Sequence, residues 1–137
     1  MRKVLVVDDN AVNRKLAAAL LRRRGMHVEE ADSGQAALEM LRVGQFDSVL
    51  LDISMPVMDG KEVCQILRST PELAVLRVIA YTAHAMESER QSIMAAGFDD
   101  LLVKPISGQD LLRVLPDWAL EAKTQNKSQN LIPISVV

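Results

Sequence analysis

Two kinds of apolar run alternate along this chain. Short continuous runs of branched residues end abruptly in polar ones, and longer stretches repeat their apolar positions every three or four residues. Residues 4–7 are of the first kind, the mark of a strand buried on both faces, and they stop at Asp8-Asp9-Asn10. Asn10 then serves as N-cap for a helix over 11–24, on which Val12, Leu16, Leu20 and the Ala17/Ala19 flanks recur at helical spacing until Gly25. Residues 27–31 form a less apolar strand, suited to a sheet edge. Ser33 caps a second helix carrying Ala37, Leu38 and Leu41, and Gly44 closes it.

A third strand spans 47–51. Asp59 with Glu62 makes a capping box for a helix bearing Val63, Ile66 and Leu67, which Thr70-Pro71 ends. A fourth strand at 77–81, a helix at 87–96 stopped by Gly97, and a fifth strand at 100–103 follow. Ser107 with Asp110 opens a last helix through Leu111, Leu112, Val114 and Leu115, with Pro116 to terminate or kink it. Five strand–helix pairs in strict alternation predict an α/β fold: a flavodoxin-like, doubly wound parallel sheet of five strands in the order 2-1-3-4-5. Residues 1–118 make one domain. From residue 119 periodicity fades, and the tail 119–137 reads as a flexible stub or a docking arm ending in Leu131, Ile132, Ile134, Val136 and Val137.

Composition narrows the class. Of 137 residues, 49% are apolar and 25% charged, the balance of a globular domain, and aromatics are so few that aliphatic residues must build the core. A net charge of −2 without a basic, aromatic-laced stripe gives no reason to expect nucleic acid. Arg22-Arg23-Arg24 falls at a helix end, where cations complement the macrodipole. Cys64 is the only cysteine, which excludes an intrachain disulfide and fits a reducing compartment. Asp8 and Asp9 cut the N-terminal apolar run too short for an export signal, and no run suits a membrane span, so the expected location is the cytoplasm.

The chemistry centres on residues 49–60, where an apolar strand ends in Asp52 and a loop punctuated by Pro56 and Gly60 follows. In a parallel sheet the residues after strands one, three, four and five converge: Asp8-Asp9, Asp52, Thr82-Ala83 and Lys104-Pro105. Each has an ordinary explanation alone, as a helix-start charge pair, a turn residue or a strand-end lysine. Together they are a constellation. Three clustered carboxylates raise one another's pKa or demand a cation, and an all-oxygen set without His or Cys suits Mg²⁺ rather than zinc. With Lys104 and the Thr82 hydroxyl added, the set is a template for phosphoryl transfer to a carboxylate.

At these residues, with Met55-Pro56-Val57-Met58-Asp59-Gly60 between them, the chain resembles the receiver domain of bacterial two-component response regulators over about residues 3–116. The resemblance implies that Asp52 accepts phosphate from a phosphohistidine on a sensor histidine kinase or a histidine phosphotransfer protein, switching the binding of a downstream protein target. It implies Mg²⁺ held directly by Asp9, Asp52 and the carbonyl of Ser54, with Asp8 acting through water. Thr82 would reach the phosphoryl group and Lys104 would pair with it, and the Lys104-Pro105 bond would be cis. One residue departs from the pattern: Leu101 stands where the family usually carries Tyr or Phe, so the usual aromatic half of the switch is missing.

Such a domain is a phosphoacceptor and not an enzyme with a separate substrate. The alternative, a small-molecule phosphatase passing through an aspartyl phosphate, wants an acid two residues after the nucleophile, where Ser54 stands. A flavin carrier on the same fold is disfavoured by the acids after the first strand. The expected unit is a stand-alone regulator or a piece of a larger hybrid kinase. It would pair with a second copy, if at all, through 131–137 or the face formed by the fourth helix, fifth strand and fifth helix.

Overall fold

The computed structural model describes residues 2–84 and 86–114; the tail 119–137, with Leu115, Pro116 and the apolar terminus, lies outside the described residues. Ten elements alternate: β1 (Lys3–Val7), α1 (Ala11–Arg23), β2 (His27–Ala31), α2 (Gly34–Val43), β3 (Ser48–Asp52), α3 (Gly60–Ser69), β4 (Arg77–Thr82), α4 (Glu87–Ala95), β5 (Asp100–Val103) and α5 (Gly108–Val114). The strands form one parallel sheet in the order β2-β1-β3-β4-β5. This is the expected doubly wound topology, with the less apolar β2 at an edge.

Successive strand residues point to opposite faces, so each central strand feeds two cores. Leu5, Val7, Val49, Leu51, Val78, Ala80 and Leu101 meet α2, α3 and α4 on one side. Val4, Val6, Leu50, Ile79, Tyr81 and Leu102 meet α1 and α5 on the other. A buried branched side chain contributes about 1.5–3 kcal/mol, and two such layers hold the strand ends in fixed register.

The caps follow the sequence. The side chains of Asn10 and Ser33 accept the amides of Asn13 and Ala36. Asp59 accepts the Glu62 amide while Glu62 reaches back to the Asp59 amide, completing the capping box. The expected α1 face holds only in part: Ala17 is buried with Ala18 and Leu21, and Leu20 packs against them, whereas Val12 is 76% and Leu16 41% exposed. Small alanines let the helix approach the sheet closely, and that approach sets its rotation. No described helix is long and apolar enough to cross a membrane.

The β3–α3 loop is folded tightly under the end of β3. The Gly60 amide donates to the Ile53 carbonyl at 3.0 Å. A Cβ at Gly60 would overlap the carbonyl oxygen of Asp52 and come within 2.9 Å of the Ile53 Cα. Only glycine fits. Gly60→Ala should lower stability by about 2–3 kcal/mol and shift the amide resonances of residues 52–54; chemical denaturation at wild-type level would refute the close approach.

Candidate functional site

Four strands deliver the site. β3 ends at Asp52, which is 3% exposed, and β4 ends at Thr82, which is 4% exposed. Asp8 follows β1 and is fully buried, while Asp9 beside it faces solvent. Lys104 follows β5, with its amide donating to the Thr82 carbonyl at 2.8 Å and a cis bond to Pro105. One carboxylate oxygen from each of Asp8, Asp9 and Asp52 lies within 4.8 Å of the others. The expected acidic trio is therefore assembled, with Lys104 against it.

The Lys104 ammonium is 3.0 Å from Asp52 Oδ1 and 3.1 Å from Asp8 Oδ2. The first contact is a hydrogen bond. The second is a Coulombic pairing without hydrogen-bond geometry, which leaves the buried Asp8 Oδ2 with no hydrogen-bond donor. Asp8 Oδ1 accepts the Asn10 amide, and Asp52 Oδ1 also accepts the Ser54 amide at 3.2 Å. Thr82 Oγ1 accepts the His84 amide at 3.1 Å, which ties the hydroxyl to the segment entering α4.

Burial pushes the Asp52 carboxyl up from 3.8 to about 6; the Lys104 hydrogen bond opposes that rise and the nearby Asp8 charge adds to it. A site with excess buried negative charge, oxygen donors only and an orphaned carboxylate oxygen fits a hard divalent cation, and Mg²⁺ matches that chemistry.

Two residues at the site were not singled out from sequence. Arg14 donates to the Asp8 carbonyl at 2.9 Å and to Glu30 Oε1 at 3.1 Å, bracing the end of β1 against β2. Tyr81, fully buried in β4, pairs in register with Asp52 and lies beneath the Lys104 ammonium. An arginine on an amphipathic helix carries no such signal, and a tyrosine inside an apolar run reads as core. The position of Tyr81, adjoining Thr82 at the crevice end of β4, was the available clue.

The site is thus a buried carboxylate at the mouth of a doubly wound sheet, flanked by a lysine, a hydroxyl and two further acids. The comparisons agree on the family. Residues 4–116 match the response regulator receiver domain, and the chain belongs to that family. It is 38% identical over 136 residues to the signal transduction histidine-protein kinase BarA of Escherichia coli K12, covering 96% of this chain and 15% of the kinase. It is 40% identical over 119 residues to the sensor histidine kinase GacS of Pseudomonas protegens, covering 85% of this chain and 13% of that protein. The chain thus spans about one seventh of the length of these relatives.

Among solved structures, Vibrio cholerae chemotaxis protein CheY4 superposes with a TM-score of 0.80 at 32% identity, over 85% of this chain and 98% of that one. The receiver domain of sensor histidine kinase PA1611 from Pseudomonas aeruginosa, with magnesium coordinated in its active-site cleft, gives 0.78 at 31% identity, over 86% and 97%.

The raised Asp52 pKa has a defined sign. Folded Asp52 binds its proton more tightly than the unfolded residue does, so its contribution to stability falls as pH rises from about 4 to about 6 and stays low above. In metal-free buffer, Asp52→Asn should therefore be more stable than wild type at pH 7, by about 1–3 kcal/mol, with the gap closing toward pH 4. Urea titrations at pH 4, 5, 6 and 7 check this; a pH-independent gap would refute it.

Proposed function

We propose that this receiver domain is a metal-dependent phosphoacceptor switch in which Asp52 takes a phosphoryl group from a phosphohistidine. The observation that carries the reading is Lys104 bridging Asp52 and Asp8 at the strand ends, with Asp9 completing the acidic cluster. Asp9, Asp52 and the Ser54 carbonyl would hold Mg²⁺ directly, with Asp8 acting through water; that the similar PA1611 receiver domain carries magnesium in its active-site cleft supports a magnesium site here. When bound, the ion supplies positive charge that neutralises the phosphoryl oxygens. A carboxylate oxygen of Asp52 forms the bond to phosphorus as the P–N bond of the donor breaks, and the imidazole leaves with the electron pair and takes a proton. Lys104 then moves its charge from the Asp52 carboxylate to the new phosphoryl oxygens, and Thr82 donates its hydroxyl to them.

The donor is a sensor histidine kinase or a histidine phosphotransfer protein, and the output is altered binding of a downstream protein in the cytoplasm. The switch unit is residues 1–118. It catalyses only its own phosphorylation and dephosphorylation, since exposed Ser54 supplies no acid where an aspartyl-phosphate hydrolase needs one. Val12 and Leu16, one turn apart on α1 and both exposed, offer an apolar patch on the helix that follows Asp8-Asp9 for the donor protein. Self-association through α4, β5 and α5 is consistent with exposed Met94 on α4.

Incubation with phosphoramidate and Mg²⁺ should label wild type to one phosphate per chain. Asp52→Asn and chelator should each abolish labelling, and wild-type incorporation in the mutant would overturn the assignment. Val12→Asp should leave phosphoramidate labelling within twofold while slowing transfer from a phosphorylated histidine donor at least tenfold; equal loss with both donors would refute the docking role.

A further inference from the structure

Tyr81 is the one fully buried aromatic side chain among the described residues at the site, and none of the chemistry above uses it. Its ring sits among Leu50, Ile79, Leu102 and Ile106 on the α1/α5 side of the sheet. The Lys104 ammonium lies 4.9 Å from the ring centroid while it contacts Asp52 and Asp8. The phenol oxygen is buried near the Ile106 backbone, with no well-formed hydrogen bond among the described residues. The π face thus meets a cation, while the hydroxyl has at most a poor contact with the Ile106 backbone.

That geometry separates the ring from a volume filler. A leucine would occupy much of the same space with no attraction for the ammonium, whereas the electron-rich face of an aromatic draws a cation, most strongly when the cation is desolvated. The Lys104 side chain is only 15% exposed, so the attraction is little screened. Burial, followed by the Asp8 charge, pushes the phenol up to about 12, so Tyr81 stays neutral and acts through its ring alone.

We propose that Tyr81 is a positioning residue for Lys104: its ring pins the ammonium against Asp52 and Asp8, where it competes with a divalent cation for the carboxylates. Once a cation is bound, the same ring keeps the ammonium beside Asp52, where phosphoryl oxygens arrive. The competition rests on the metal-dependent reading above, and the contact itself does not.

Calorimetric titration with Mg²⁺ at pH 7.5 tests the competition. Tyr81→Phe should bind within twofold of wild type. Tyr81→Leu should bind about threefold to tenfold more tightly, the range an ammonium–aromatic contact provides. Lys104→Ala should also tighten binding, and adding Tyr81→Leu to it should change nothing further. Equal affinities for the Phe and Leu variants, or a Leu effect that persists without Lys104, would overturn the proposal. Should Tyr81→Leu fail to fold, Tyr81→Met carries the same expectations.

Proton NMR of the Lys104 ε-methylene separates the two readings. Its ring-current upfield shift should appear in wild type and Tyr81→Phe and vanish in Tyr81→Leu. Wild type that shows the shift but binds no Mg²⁺ would sink the metal-dependent reading and the competition with it, leaving only the contact; a wild type without the shift would sink the positioning role itself.

Discussion

The burial of the Asp52 carboxylate beside Asp8 is the constraint on which the site depends. At the ends of adjacent strands β1 and β3, burial disfavours the charged form of Asp52 and the nearby Asp8 charge adds to that cost. The fold tolerates this because Lys104 reaches both, and Lys104 can do so only because β4 lies between β3 and β5 and carries its amide on the Thr82 carbonyl. One cation is fewer than the three carboxylates around it. That residual negative charge suits the pocket to a second cation.

Everything around the cluster serves to keep the strand ends from spreading. Gly60 lets the β3–α3 loop lie on the backbone of Asp52, Arg14 braces the Asp8 carbonyl against Glu30, and the two apolar layers fix the register of β1 with β3. Glu30 is itself held by Arg14, Lys15 and Arg22, and its carboxyl sits below the usual value because these partners outweigh its partial burial. The same loop carries a local cost. Val57 adopts a φ of +71° in a turn closed by the Met58 amide on the Pro56 carbonyl, a conformation a β-branched residue enters only under constraint, at about 1–3 kcal/mol. Its side chain is fully exposed, so no packing of its own offsets that strain.

Strand order, caps and the acidic trio were legible because each has a short-range signature: an apolar run cut by a carboxylate, Asp59 with Glu62, a lysine before proline. What was not legible depends on approach distance and direction. The α1 stripe was read from Val12, Leu16, Leu20 and the Ala17/Ala19 flanks; of these, Ala17 is buried and Leu20 packs on the core, but Ala18 and Leu21 join the inner face while Val12 and Leu16 turn outward, because residue size decides how near the helix can come. Tyr81 looked like core and is core, but the approach of Lys104 to its ring comes from β4 and β5 lying side by side and not from any sequence spacing. The Val57 turn was hidden for another reason, since nothing about valine signals a positive φ.

Leu101 bears on how a signal would leave the site. It is 3% exposed and shares the core layer on the α3/α4 side with Val78, Ala80, Ile93 and Phe98. An aliphatic side chain already buried gains nothing by turning inward, so the rotation that the usual aromatic makes has no counterpart at this position. Tyr81 cannot replace it, because β4 points that ring to the opposite face of the sheet. The remaining mechanical link is the Thr82 hydroxyl, which holds the His84 amide. Under the phosphoacceptor reading, a Thr82 drawn toward a phosphoryl group pulls first on the β4–α4 segment, through exposed Ala83 and His84 to Met86 at the head of α4.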